Sequence, residues 1–412
     1  AAADLRVSFD ASKGDGWSAA VNLTGLERAD VSVASASING SGRINRRAGG
    51  GGPIVGGSLK FSAENVALSD QRLAAALGSE IEGRLVFDWQ QGGLGLRIGR
   101  LELNEAGYSI VTSARISDFA NGFRTRGTID AQYNDFSRLS AWADRSLGGR
   151  GAFHVSGLVS PLGGEFDVVG DIKGTNIAVG IVEADNLLKG DSAIKFAAGR
   201  SKNGTFLRSL NVTARQLLAT ASGKLASDGS ELKAKLNFAD LAVLGDAYGG
   251  SLNADATFSG TVTNGRITLD GNADNLKVSQ QQADALIAGQ SRLSLAIGIR
   301  DNRFEIEKAE ISNPQVTADA TGYYDPTGSD IAANLSLPNL SPLGPGYRGA
   351  LNAVVTAQGT VDAGRIELQG QGTNLAIGNA EADRLLNGQS TVQAAVNFRN
   401  RRFEIESATL SN

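Results

Sequence analysis

Apolar and polar residues alternate along almost the whole chain with a period of two. Leu94, Leu96 and Ile98 enclose Arg97, Phe153 and Val155 enclose His154, Phe166 and Val168 enclose Asp167, and Ile194 and Phe196 enclose Lys195. Ile177 and Val179 keep the same spacing. Leu252, Ala254, Ala256 and Phe258 alternate with Asn253, Asp255 and Thr257, and Ile267 with Leu269 follows. The pattern returns in Leu293, Leu295, Ile297 and Ile299, in Phe304 with Ile306, in Ile366 with Leu368, and in Val392, Ala394, Val396 and Phe398. Antiparallel strands with one apolar and one solvated face read this way. Turn signals fall a strand length apart, among them Gly92-Gly93, Asn203-Gly204, Asp228-Gly229 and Asn264-Gly265. Asn-Gly and Asp-Gly suit two-residue hairpin turns. The chain is therefore expected to be an all-β meander of hairpins.

One interruption recurs. Glu183-Ala184-Asp185-Asn186-Leu187-Leu188-Lys189-Gly190 returns as Gln282-Ala283-Asp284-Ala285-Leu286-Ile287-Ala288-Gly289 and as Glu381-Ala382-Asp383-Arg384-Leu385-Leu386-Asn387-Gly388, with closing glycines 99 residues apart. A looser copy is Asp70 to Gly78. A fixed period of this size marks a tandem array. Each copy predicts a two-turn helix, capped by Ser69, Gly180, Ser279 or Gly378 and ended by its glycine in the left-handed conformation. Leu187, Leu188, Leu286, Ile287, Leu385 and Leu386 are expected to pin these helices to the sheet. Boundaries at Asn65, Asn176, Asn275 and Asn374 divide a single array, 1–412, into units 65–175, 176–274 and 275–373 with partial units 1–64 and 374–412.

Helices this short cannot cover so many strands, so the sheet has to cover itself. Curling along the array into a trough suits a strict repeat, and eight strands per unit at ~4.8 Å each give an elongated body. An unfilled trough would leave a continuous apolar lining, which marks a partner site. Small residues such as Ala254, Ala256, Ala353, Ala394 and Ala395 leave it width. Keeping a ~16-carbon acyl chain from water is worth roughly 10 kcal/mol, so lipid suits the shape. The alternating apolar residues named above are the candidate lining.

Composition narrows the chemistry. The 412 residues hold 53 Gly, 7 Pro, no Cys and a single His, with a net charge of −4 and no basic run longer than a pair. Disulfides and thiolate metal sites are excluded, and nucleic acid is a poor partner. His154 falls on the polar side of its strand with no nucleophile or orienting carboxylate nearby in sequence. The glutamates of Phe403-Glu404-Ile405-Glu406 alternate with apolar residues and are expected to face solvent. No enzyme, cofactor or metal is expected. The chain has no Met and stops within a repeat at Leu410-Ser411-Asn412, which predicts a piece of a longer protein.

Alternating strands joined to Ala-Asp-x-Leu-Leu-x-Gly, with Phe403-Glu404-Ile405-Glu406 and Tyr324-Asp325-Pro326-Thr327-Gly328, resemble the TamB family of translocation and assembly module subunits, within the AsmA-like group of bridge-like lipid transfer proteins. The resemblance spans the chain and rests on repeat style. It implies an elongated β-taco in the periplasm of a Gram-negative bacterium that conducts phospholipid between inner and outer membranes. It also implies inner-membrane anchoring by an N-terminal helix, and outer-membrane and autotransporter assembly with the barrel TamA, both through regions outside this sequence. The alternative reading is a structural β-solenoid or adhesin-like passenger with a packed interior.

Overall fold

The computed structural model describes residues 2–45, 52–90, 95–119, 122–301, 303–360, 362–399 and 402–411. Leu94, a candidate lining residue, lies outside them. The 25 strands form one antiparallel sheet that is not closed into a barrel, the all-β architecture that the alternation predicts. Sequence neighbours are mostly sheet neighbours, as Gly249–Gly260 is with Ser230–Phe238 and Asn264–Lys277; near the helix Gln71–Leu77 the short strand Ala67–Leu68 instead pairs with Val31–Asn45, and Ile54–Glu64 pairs with Ile81–Gln90. By compactness the chain divides into two units, Ala1–Arg215 and Gln216–Asn412.

The α-helices are α1 (Gln71–Leu77), α2 (Ser140–Ala143), α3 (Val182–Leu187), α4 (Gln281–Leu286) and α5 (Ala380–Leu385). The last three keep the 99-residue period, but their capping differs from expectation. The N-cap comes one residue later: Asp70 accepts from the N–H groups of Arg72 and Leu73, and Asn379 from those of Glu381 and Ala382, while Ile181 and Gln280 make no side-chain cap. Gly180, Ser279 and Gly378 instead take positive φ, turning the chain into the helix. Gly190, Gly289 and Gly388 are left-handed as expected, yet the helices have already ended at Leu188, Ile287 and Leu386.

What holds each copy is a set of side-chain bonds to backbone. Asn176, Asn275 and Asn374 sit at φ near +50° and their Oδ1 atoms accept from the N–H groups of Gly190, Gly289 and Gly388 at 2.9, 3.2 and 3.1 Å. The same asparagines donate their backbone N–H to the carbonyls of those glycines. Asp185, Asp284 and Asp383 accept from the N–H of Val179, Val278 and Ile377 at 2.6 to 2.7 Å. Helix and loop thus close without a long apolar face, which six residues could not supply. A bulge opposite makes room: a Cβ on Gly250 (φ +90°) would lie 2.4 Å from the Asn275 carbonyl oxygen.

The packed cores lie at the helix-bearing end of the strands. In the first unit Tyr108, Ala131, Tyr133, Phe136, Ile177 and Leu188 are buried together, with Tyr108 and Tyr133 stacked at 5.4 Å. Tyr108 donates to the Leu77 carbonyl and Trp142 to that of Arg72, which ties down α1. In the second unit Val316, Leu337, Leu340, Leu375 and Leu386 cluster, with Leu286 and Ile287 packed against them. Of the residues expected to pin the helices, Leu188 and Leu386 are buried, Leu187, Leu286 and Ile287 are half-buried, and Leu385 is 71% exposed. Leu385 points outward because α5 offers the core only one narrow stripe.

Candidate functional site

Within each unit, strand register places the described candidate lining residues other than Ile177 and Val179 on an apolar face. In the second unit Phe258, Ile267, Ile297 and Ile306 stand opposite one another in turn. The row continues through Gly322, Ile331, Ala357, Ile366, Val396 and Ile405, crossing ten consecutive strands. A parallel row is mostly small: Ala256, Leu269, Leu295, Ala309, Ala320, Ala333, Val355, Leu368, Ala394 and Ala408. A third joins Ala254, Leu293 and Val392, and Ile299 stands opposite Phe304 as Phe398 does opposite Phe403. Ile331, Val355 and Ile311 belong to the same face although the sequence reading did not select them; the alternation of Ile331, Ala333 and Leu335 was their signal.

The first unit repeats the arrangement. Phe153, Ile172 and Ile194 form one row, Val155, Gly170 and Phe196 the next. Ile98 is linked through Ala114, Gly127 and Gly157 to Val168, and Leu96 through Ile116, Thr125 and Val159 to Phe166. Rings lie along the sheet over glycines: a Cβ on Gly170 would meet the Phe196 ring within 2.4 Å. Flat rings keep the apolar layer thin.

Three expectations need correction. Ile177 and Val179 are built into the helix-end core with Leu188 instead of lining an open face, because the chain bends toward α3 at Asn176. Ala395 stands opposite Glu367 and Ser407, on the polar side, so it adds no width to the apolar one. His154 does have a carboxylate beside it: its Nδ1 lies 2.6 Å from Asp130 Oδ1, on the neighbouring strand, with both groups exposed. The Phe-Glu-Ile-Glu glutamates behave as solvated residues, Glu307 and Glu406 pairing with Arg266 and Arg365 across the polar face.

The apolar face is incompletely covered. Leu295, Ile297, Leu269 and Ile306 are half-buried, and no large side chain among the described residues falls below 2% exposure. Toward the end away from the helices exposure rises, to 39% at both Trp89 and Phe304. Total accessible surface is 24,686 Å². Two separate compact domains of half this length would expose only about 18,000 Å². The narrow depressions, of about 540 to 740 Å³, are lined mainly by polar-side residues.

Perturbed titration is confined to turns and the helix end. Burial pushes the Tyr108 phenol up to about 12, with Tyr133 and Glu105 adding to the rise, and burial also raises Tyr133. The backbone and hydroxyl of Ser137 hold Asp135 below the usual carboxylate range, and those of Thr327 do the same for Asp325. No group of three or more potential metal ligands occurs among the described residues, and no described helix is long and apolar enough to cross a membrane. No protein family, curated protein or solved structure matches the chain.

Proposed function

We propose that the apolar face binds and conducts lipid acyl chains, as a segment of a periplasmic groove between inner and outer membranes. One observation carries the reading: in the second unit an apolar face continuous over ten strands is left half-exposed, with no second layer over it among the described residues. Soluble proteins do not leave so large a patch without a partner. An acyl chain laid across the rows regains ~0.8 kcal/mol per methylene removed from water and needs no polar contact. The alanine-rich row supplies the space and the flanking Ile and Phe rows the walls. Phospholipid as cargo, anchoring in the inner membrane, and cooperation with the outer-membrane barrel TamA in autotransporter assembly follow from the family resemblance.

Mass spectrometry of organic extracts of the purified chain tests this reading. Phospholipid at a stoichiometric level is expected, and a lipid-free protein whose melting is unaffected by added phospholipid would refute it. The packed solenoid is disfavoured by the incomplete burial of Leu295 and its neighbours.

A further inference from the structure

The polar side carries a second feature, unrelated to the apolar face. The depression of about 740 Å³ on strands Gly95–Glu105, Tyr108–Ser117, Arg124–Tyr133, Gly148–Ser160 and Glu165–Ala178 is lined by four arginines, Arg97, Arg115, Arg124 and Arg126, against one carboxylate, Asp167. Arg97 stands directly opposite Arg115, and Arg115 directly opposite Arg126. Like charges so placed on neighbouring strands, ~4.8 Å apart, repel and destabilise the sheet. Local compensation is slight. Asp88 reaches only Arg97, at 3.8 Å, and Asp167 is already paired with Arg208. No described carboxylate forms an ion pair with Arg115, Arg124 or Arg126.

The floor beside this ladder is made of hydroxyls. Ser113, Thr128 and Ser156 stand opposite one another, with Ser113 Oγ 3.0 Å from Thr128 Oγ1. The other depressions differ. One balances Lys235 and Arg292 with Asp255 and Asp270, another has Asp319 and no cation, and a third sets Arg150 and Lys173 against Asp191. A cationic ladder on a chain of net charge −4 is therefore a local device and not a general property of the polar side.

We propose that this depression binds an oligoanion bearing phosphate groups. Guanidinium groups grip phosphate oxygens two at a time, and arginines spread over ~10 Å suit two or more such groups. The volume exceeds one phosphate and leaves room for a hydroxylated moiety over Ser113, Thr128 and Ser156. A soluble phosphorylated compound and a phosphate-bearing lipid headgroup share this chemistry. Because the site lies on the opposite side of the sheet, its fate is independent of the acyl-chain reading.

The test uses tripolyphosphate in calorimetric titration and vesicles of phosphatidylglycerol, with phosphatidylcholine vesicles as reference, in co-sedimentation. The whole chain is expected to bind tripolyphosphate at ~0.1 M salt, more weakly as salt rises. The double variant R115Q/R126Q should bind at least tenfold more weakly yet melt at the same or a higher temperature without anion, since it removes opposed like charges. A merely structural pair of arginines would lower the melting temperature. The variant K235Q/R292Q, in the balanced depression, should bind as the wild type does. Binding of tripolyphosphate alone identifies a soluble ligand, and phosphatidylglycerol binding that tripolyphosphate displaces identifies a headgroup. Absence of binding to both probes, or binding that R115Q/R126Q leaves intact or K235Q/R292Q weakens equally, overturns the proposal.

Discussion

Replacing Leu295 by Asp separates an open apolar face from a packed one. Leu295 is half-buried between Leu269 and Ala309 on adjacent strands. Full burial of a leucine is worth about 1.5–3 kcal/mol, so losing a half-buried one costs about 1–2 kcal/mol. On an open face the new carboxylate keeps its water and adds little more. That loss lowers the melting temperature of a unit of this size by about 2–8 °C. In a packed interior the same carboxylate would be dehydrated without a partner, which costs several kcal/mol more and would leave little folded protein. Bound lipid reports separately. A hydrated carboxylate deprives about two methylenes of apolar neighbours, ~1.6 kcal/mol, so lipid retention should fall at least tenfold. The outward control is Ser294→Lys, because Ser294 donates to Asp270 at 2.7 Å and an acidic residue there would repel it. Circular-dichroism melts and lipid mass spectrometry of both variants decide the matter. Unfolding of the Leu295→Asp protein, or lipid content equal to wild type in both variants, would refute an open acyl-chain path.

The remaining expectations concern the elements that position the face. Asn275→Ala should cost about 2 kcal/mol in chemical denaturation, since it loses the bond to Gly289 and forces a Cβ residue to φ +52°, whereas Asn275→Gly, which relieves the backbone, should cost about 1. Leu386→Ala should cost 2–5 kcal/mol, on the order found for buried leucines, and Leu385→Ala within about 0.5, so equal losses would disprove the one-sided anchoring of α5. Tyr108→Phe should be destabilised by about 1 kcal/mol at neutral pH through the lost bond to the Leu77 carbonyl. Its deficit should shrink and then reverse as pH climbs toward 12. The wild-type phenol ionises near 10 in the unfolded chain but at about 12 when folded, so its stabilisation is complete below pH 10 and is lost above it. A deficit that stays constant to pH 12 would contradict the buried phenol.

How far the sequence reveals this protein depends on the range of the interaction. Alternation is local, because a strand with water on one side writes its own face into consecutive residues, and for that reason the apolar rows were readable from Leu293, Leu295 and Ile297 alone. The 99-residue spacing of the short helices was equally plain, but their chemistry was not. Asn275 bonds Gly289 fourteen residues away, and Asp284 reaches back to Val278, so neither role follows from helix propensity or from cap preference. Pairings that depend on register are the least legible. His154 meets Asp130 across 24 residues, and Arg97, Arg115 and Arg126 come together from three strands, in each of which the arginine reads only as an ordinary polar position of the alternation.

The two faces of the sheet therefore pose different problems, and the same backbone solves both. On the apolar side identity matters less than size and hydrophobicity, so the rows tolerate Ile, Leu, Val and Ala interchangeably and advertise themselves in any single strand. On the polar side several charges are matched across strands, as Arg266 is with Glu307 and Lys235 with Asp255. Such matching is what a sheet does to remain stable. The arginine ladder breaks that rule over three adjacent strands while Ser113, Thr128 and Ser156 keep the space beside it open. A local violation with so little compensation inside the chain is where a partner from outside should be sought. The apolar rows satisfy the same criterion on the other side, since the fold leaves their burial unfinished, and a partner is to be sought there too.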